Sequence, residues 1–460
     1  MRRFSPHNVT TRLAAALLIA AGAASAVGDA VEPIDVGDLK QLFIDDRFIA
    51  QSTDIELTMN PPRKVARIDI GPQLALPENQ DLDFGPVLVD PSAPPEQRYK
   101  KTALEGRMSE TETAGIYIYY SADRVNWTRV PERVFPFWPD GENSLMYDPS
   151  LGKYVAFFRQ WRPRSPGTYA AAEIKPLRTV GRLVIDDPLQ PWPIPEGKAR
   201  VYLWGEDNLP APGPAFETVL ACDDQDPPEC DFYDHGILRY PWADDVYVAF
   251  PVLYRHFPEP PEGERSNDGL TDVQLATSRD GITWRRFRGS YIRLGEWGSA
   301  EGGCIYTARA LLRNGDVLRQ YYTAFPHSHG TPARGDDNPA FAGMVEQRLD
   351  GFVSADAAYE GGELTTPQIV FAGERLELNV DCSAVGDARV EILDADGAPV
   401  PGYALDDADM IHGNHIRVTC TWRGESDIAA LAGRPVRLRF VMRAAKLYAF
   451  EFVRAPDEAG

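Results

Sequence analysis

Two stretches of this sequence obey one pattern. SADRVNW, Ser121 to Trp127, and SRDGITW, Ser278 to Trp284, both read S-x-D-x-x-x-W, and their aspartates stand 157 residues apart. Apolar alternating runs flank each of them, IYIYY before the first and VQLA before the second, so each reads as the turn of a β-hairpin. The Ser and Asp side chains can bond turn amides, and the Trp offers a large apolar face for packing between neighbouring units. A hairpin built twice at such a distance belongs to a repeated scaffold.

The flanking strands recur as well. DFGPVLVDP opens a first unit at Asp83, ENSLMYDP a second at Glu142, DFYDHGILRYP a third at Asp231 and EGGCIYTARALLRNG a fourth at Glu301. Strands and turns follow each opening, and units of four strands at a loose period are the signature of a β-propeller. QLFIDDRFIA and IELTMNPP, near the N-terminus, are expected to supply a fifth blade. Beyond residue 358 short, strictly alternating strands such as RLELNVDC and PVRLRFVMR predict a separate sandwich of ordinary domain size. The expected fold is all-β: a five-bladed β-propeller over residues 27–358, followed by a C-terminal β-sandwich over 359–460.

The first 26 residues read as a signal peptide. Arg2, Arg3 and Arg12 precede LAAALLIAAGAA, and Ala24-Ser25-Ala26 is a small-residue cleavage site. The apolar run is too short to span a bilayer, so a secreted or periplasmic protein beginning at Val27 is expected. Cleavage removes three arginines and no acids, taking the net charge from −21 to −24. Such a chain repels nucleic acid and anionic membrane, while neutral carbohydrate remains a compatible substrate. Five cysteines in an exported chain suggest disulfides with one thiol left over. Cys382 and Cys420, in two strands of one small sandwich, are the expected pair, and Cys304 the buried free thiol.

Inner strands of a propeller converge on one axis, and here each opens with acid. Glu78 and Asp83 precede or open the first, Glu142 the second, Asp231 the third and Glu301 the fourth. Carboxylates crowded at one mouth would shift apart in pKa, as glycosidic cleavage requires of its acid and its base. Asp83 or Glu78 is the expected base or nucleophile and Glu301 or Asp231 the acid, with Glu142 and Asn143 orienting substrate. Arg159, Trp161, His235, His327 and His329 are expected to bind substrate, through stacking or sugar hydroxyls. No metal-ligand spacing, phosphate loop or dinucleotide fingerprint is present, and no cofactor is expected.

LFIDDRFI, NSLMYDPSLGKYVAFFR, VGRLVIDD, DFYDHGILRYPWADDVYVAFP, DVQLATSRDGITW and VRLRFVMRAAKLYAFEF carry a resemblance across nearly all of the mature chain. They resemble the five-bladed propeller glycosidase superfamily of arabinanases, invertases and levansucrases. The similarity is greatest to exported bacterial relatives of glycoside hydrolase families 32 and 43. The resemblance implies three carboxylates from successive inner strands, acting as base or nucleophile, orienting acid and general acid. It also implies that a structural calcium could sit on the axis. The chain lacks a WMNDPNG-like nucleophile segment, which argues against invertase-type chemistry. Tyr147-Asp148-Pro149 matches part of the invertase R-D-P motif at the far end of its strand, and Glu229-Cys230 matches the E-C acid motif. The expectation is therefore a secreted glycoside hydrolase acting on a polysaccharide or oligosaccharide. The rivals are a non-catalytic carbohydrate-binding propeller and a polysaccharide lyase with a His or Tyr base and an Arg-neutralised uronate.

Overall fold

The computed structural model describes residues 32–69, 83–84, 87–141, 143–162, 177–194, 207–213, 215–257, 268–330 and 340–454. These residues form β-strands and a few short 3-10 turns. No helix among them is long and apolar enough to cross a membrane.

Four antiparallel units follow one another along the chain. The first is built from Asp83–Phe84 with Leu88–Val89, then Tyr99–Glu105, Gly115–Ser121 and Thr128–Arg129. The second runs Asn143–Asp148, Lys153–Arg162, Leu177–Ile185 and Glu217–Leu220 in simple order. In the third, Cys230–Phe232 and Leu238–Arg239 share the inner position, followed by Tyr247–Ala249 with Val252–His256, Gly269–Ser278 and Arg285–Ile292. The fourth places Cys304–Thr307 and Leu312–Asn314 inside Val317–Phe325 and Phe341–Arg348, and its outermost strand is Arg63–Asp69 from the beginning of the chain. The units converge at Asn143, whose carbonyl accepts from Arg309 of the fourth (3.2 Å) and Thr102 of the first (3.5 Å). This is the arrangement of a β-propeller.

The repeated hairpins behave as scaffold. Ser121 Oγ accepts the Arg124 amide at 2.9 Å, and Asp123 Oδ1 those of Val125 and Asn126 at 2.8 Å. Ser278 and Asp280 make the same bonds to Gly281, Ile282 and Thr283. Trp284 packs edge-on against Phe157 of the second unit, which joins two units. Trp127 stays within its own, under the ammonium of Lys101.

Two expectations are overturned. Gln41–Leu42 pairs with Ala445–Val453, and Ile55–Met59 with Val353–Ala357. The stretches expected as a fifth blade therefore belong to two six-stranded sheets built with the C-terminal region, and four units are seen among the described residues. Alternation tells a strand which face is buried, not which sheet will accept its edge. The two six-stranded sheets share one apolar core containing Phe43, Phe48, Phe440, Phe450 and Phe452. Val353–Ala357 lies in one of them, so this half starts before residue 359 and includes residues near the N-terminus.

The Cys382–Cys420 bridge is not made. The Cys420 amide donates to Leu376 O at 2.8 Å, at the opposite end of Arg375–Asp381 from Cys382. Six residues of strand separate the two by about 20 Å, whereas a disulfide needs Cα atoms within about 7 Å. Both thiols are buried and free. Cys304 is a buried free thiol, as expected.

Candidate active site

The mouth of the propeller is organised around two buried arginines. Arg159 lies near the end of Lys153–Arg162, and Arg178 faces Trp161 across the next strand pair. Their guanidiniums lie among aromatic rings: Arg159 Cζ is 4.6 Å from the Tyr233 centroid, and Arg178 Cζ is 5.0 Å from Trp161 and 5.5 Å from Tyr254. Rings flanking a cation supply attraction where water is excluded.

Each guanidinium is tied to the third unit. Arg178 donates to Asp231 Oδ2 through its backbone amide (3.1 Å) and its side chain (3.0 Å). His256 Nε2 stands 3.2 Å from the other carboxylate oxygen. Burial alone would push the Asp231 carboxyl up, yet Arg178 and His256 together hold it below the usual range. Asp231 is only 1% exposed, so it orients its neighbours and does not reach solvent. Arg159 donates to Tyr233 O at 2.5 Å and Asp140 O, and its charge is met by Asp234 at 3.2 Å and Asp140 at 3.5 Å.

Those last two carboxylates do reach solvent, Asp140 being 42% exposed and Asp234 25%. Asp140 adopts a positive φ of 52°, and glycine follows it where a Cβ would lie 2.3 Å from Arg159 Cζ. The turn thus lays its backbone directly on the guanidinium. Both carboxylates contact one guanidinium, so they stand within roughly 9 Å of each other, no farther apart than the paired carboxylates of glycoside hydrolases.

The opposite wall comes from the third and fourth units. His329 Nδ1 and the Tyr306 hydroxyl lie 2.9 Å apart, and the His329 ring packs on Tyr233 and Tyr254 at 4.7 and 5.1 Å. Burial, aided by the nearby Arg178 and Arg159, pushes the imidazole down to about 4, which keeps it neutral near pH 7. Asp268 anchors this segment, accepting from the Ser328 hydroxyl at 2.8 Å and the Gly330 amide at 2.6 Å.

Of the residues expected from sequence, Asp231, Arg159, Trp161 and His329 come together here. Asn143 is buried at the axis, its side-chain amide bonded to Gly141 O at 2.8 Å. His235 is interior, its Nδ1 accepting the Ile237 amide at 3.1 Å and its ring facing Phe157. His327 turns to its neighbour's carbonyl, Ser328 O, at 2.9 Å. Glu301 lies apart from the cluster, ion-paired with Lys64 of the closing strand and 3.3 Å from the Tyr322 hydroxyl. Glu78 and Glu142 fall outside the described residues, and Asp83 is described only as part of its strand. Sequence reasoning missed Asp140, Arg178 and Tyr306. The Asp-Gly turn two residues before Glu142 was the available signal for the first. Among the described residues no three His, Cys, Asp or Glu side chains converge as metal ligands.

The chain is similar to solved glycoside hydrolases. One glycoside hydrolase structure matches at 14% identity over 54% of this chain and 62% of its own, with a TM-score of 0.34. A family 43 arabinoxylan arabinofuranohydrolase from Bacillus subtilis matches at 11% identity, covering 84% of this chain and 97% of that one, with a TM-score of 0.25. A family 32 β-fructofuranosidase of Bombyx mori matches at 9% identity over 90% and 96%, with a TM-score of 0.27. The chain spans about three fifths of the length of the first of these. No family model and no curated protein matches it. With every TM-score below 0.5, the chemistry has to come from the side chains themselves.

Proposed function

We propose that the chain is a secreted glycoside hydrolase that cleaves a polysaccharide or its oligosaccharides at the propeller mouth. The observation that carries the reading is the pair Asp140 and Asp234, two solvent-reaching carboxylates that flank the buried Arg159. Asp234, the closer to the cation and the less exposed, is the base or nucleophile, because a neighbouring positive charge favours the ionised form. Asp140 is the acid. Its contact with Arg159 is longer and its carboxylate the more exposed, open to the leaving oxygen of an incoming sugar. Tyr233 and Tyr306 offer partly exposed rings against which the apolar face of a sugar can lie. Asp231 positions Arg178 and His256 beneath them. Glu78, Asp83 and Glu142, expected from sequence as catalytic carboxylates, enter this reading only as further candidates for the same substitution test.

The test is turnover of a polysaccharide panel followed by product chromatography. Asp234→Asn and Asp140→Asn should each lower kcat by about 10²–10⁴-fold, the usual scale for losing a general acid or base. Full activity in both variants would remove them from the chemistry. An unsaturated product absorbing in the ultraviolet would make the enzyme a lyase. Binding with no product from any sugar would make it a lectin.

A further inference from the structure

A second cleft opens at the other end of the propeller. Asn143–Asp148 runs from the candidate active site to Pro149 and Ser150, and the third unit descends in the same direction from Asp231 to Leu238–Arg239. A strand of this length spans about 20 Å. At that far end a cavity of about 570 Å³ lies between the second and third units, residues 38–40 and Glu451. This is ample for one or two sugar rings, since small-molecule sites usually enclose about 300–1,000 Å³.

We infer that this cleft is a second carbohydrate-binding site, for a neutral stretch of a polysaccharide chain. Trp242 supplies the stacking surface. Its ring stands edge-on to Tyr240 at 5.2 Å, and the Tyr240 hydroxyl is fixed to Asp350 at 2.7 Å, so the platform is held before any ligand arrives. Around it the acids have capacity to spare. Asp244 receives Gln41 at 3.4 Å, Asp245 stands 3.7 Å from Arg239 and 3.5 Å from Arg47, and Glu451 is 4.0 Å from Lys40. None of these contacts closes below 3.4 Å, in contrast to the 3.0 Å pair of Asp231 with Arg178. Loosely paired carboxylates are strong acceptors for sugar hydroxyls. The cations at the cleft are already met by carboxylates, Lys40 by Asp350 at 3.0 Å, Arg454 by Asp38 at 3.0 Å, and Arg239 and Arg47 by Asp245. A uronic acid therefore finds no open partner and is disfavoured. An indole platform among acceptors selects a neutral sugar, with its apolar face on the ring and its hydroxyls toward the acids.

The inference rests on the carbohydrate-active reading of the mouth and adds a remote grip on the same polymer. The experiment therefore silences the mouth. Asp234→Asn protein is run in native gels containing soluble arabinoxylan, arabinan, mixed-linkage glucan or fructan, with polygalacturonate as the anionic control. We expect retardation by at least one neutral polymer and none by polygalacturonate. Trp242→Ala in that background should weaken the affinity about tenfold, and Asp245→Asn, a milder change that spares the packing, about threefold. With the mouth intact, Trp242→Ala should raise KM on the polymer and leave kcat on a short oligosaccharide unchanged. Undiminished retardation in both cleft variants overturns the inference, as does the absence of retardation by any neutral polymer or preferential binding of polygalacturonate. The two readings separate cleanly. Trp242-dependent retardation by a wild type that never turns over sugar would sink the hydrolase and keep the cleft, while turnover indifferent to Trp242 and Asp245 would do the reverse.

Discussion

Arg159 illustrates how much one residue can be made to do by its surroundings. It is 4% exposed, yet carries a full charge, because Asp234, Tyr233 and Asp140 surround it with acceptors. Its position depends on Gly141. Adding a methyl there brings a Cβ to 2.3 Å from the guanidinium carbon, so Gly141→Ala should displace Arg159 and both carboxylates with it. We expect kcat to fall at least tenfold and stability by about 1–3 kcal/mol, the usual cost of overpacking. Steady-state kinetics and a denaturant melt would check this, and unchanged kinetics would detach the turn from the site. His329 gives a pH signature. Its folded pKa lies near 4, below the unfolded value near 6.5, so the unfolded chain binds the extra proton first as the pH falls. Above pH 6.5 the group has no effect; stability then declines through pH 5 and levels off below about pH 4. Melting temperature followed from pH 7.5 to 4.5 should show the decline, and His329→Gln should flatten it. At this scale the sequence was half legible. Asp231, Arg159, Trp161 and His329 were identifiable because they stand in or beside strongly alternating strands whose ends meet at an axis. Glu301 was not separable from them, because the crossing loop that carries it to Lys64 leaves no periodic trace.

Among elements, the paired hairpins were the most readable feature, since their bonds are local and the residues that make them are adjacent in sequence. The two turns also differ instructively. Arg124 and Gly281 occupy equivalent positions, with φ of 65° and 67°. Arg124 bears the left-handed conformation under its stacking on Tyr99 at 4.4 Å, whereas Gly281 lies against the Phe157 ring, where a Cβ would come to 3.1 Å. Gly281→Ala should therefore cost about 1–2 kcal/mol through backbone strain, with some crowding added. Because the hairpin sits at the opposite end of Gly269–Ser278 from Asp268, kcat should hold; a kinetic defect matching the stability loss would give the hairpin a functional part. Strand partners were less readable than strands. IELTMNPP and QLFIDDRFIA were correctly expected to contain strands, but the sheet that accepts them is set by contacts roughly 300 to 400 residues away in the chain, as residues 55–59 pairing with 353–357 and 41–42 with 449–450 make plain.

The whole molecule is held together by its first described segment. Ile34–Gly37 and Gln51–Thr53 enter one six-stranded sheet, Gln41–Leu42 and Ile55–Met59 the other, and Arg63–Asp69 then closes the fourth propeller unit. A chain that crosses between halves in this way should unfold both together. The polar centre of the junction is Asp350, fully buried, whose carboxylate meets Lys40 at 3.0 Å, the Tyr240 hydroxyl at 2.7 Å and the Asn379 amide at 3.2 Å. These three partners come from the N-terminal segment, the third propeller unit and the C-terminal sheets. Asp350→Ala leaves a largely buried ammonium and the Tyr240 hydroxyl without this acceptor, while the Asn379 amide keeps Leu349 O. The expected loss is about 3–5 kcal/mol, on the scale of broken buried ion pairs. Asp350→Asn keeps the shape and an acceptor for the tyrosine, so its loss should be smaller. Calorimetry of the wild type should show one cooperative transition. In Asp350→Ala we expect a lower melting temperature and a split into two transitions, as the halves lose the contact that couples them. A single, unshifted transition in that variant would mean that the strand pairings alone unite the molecule.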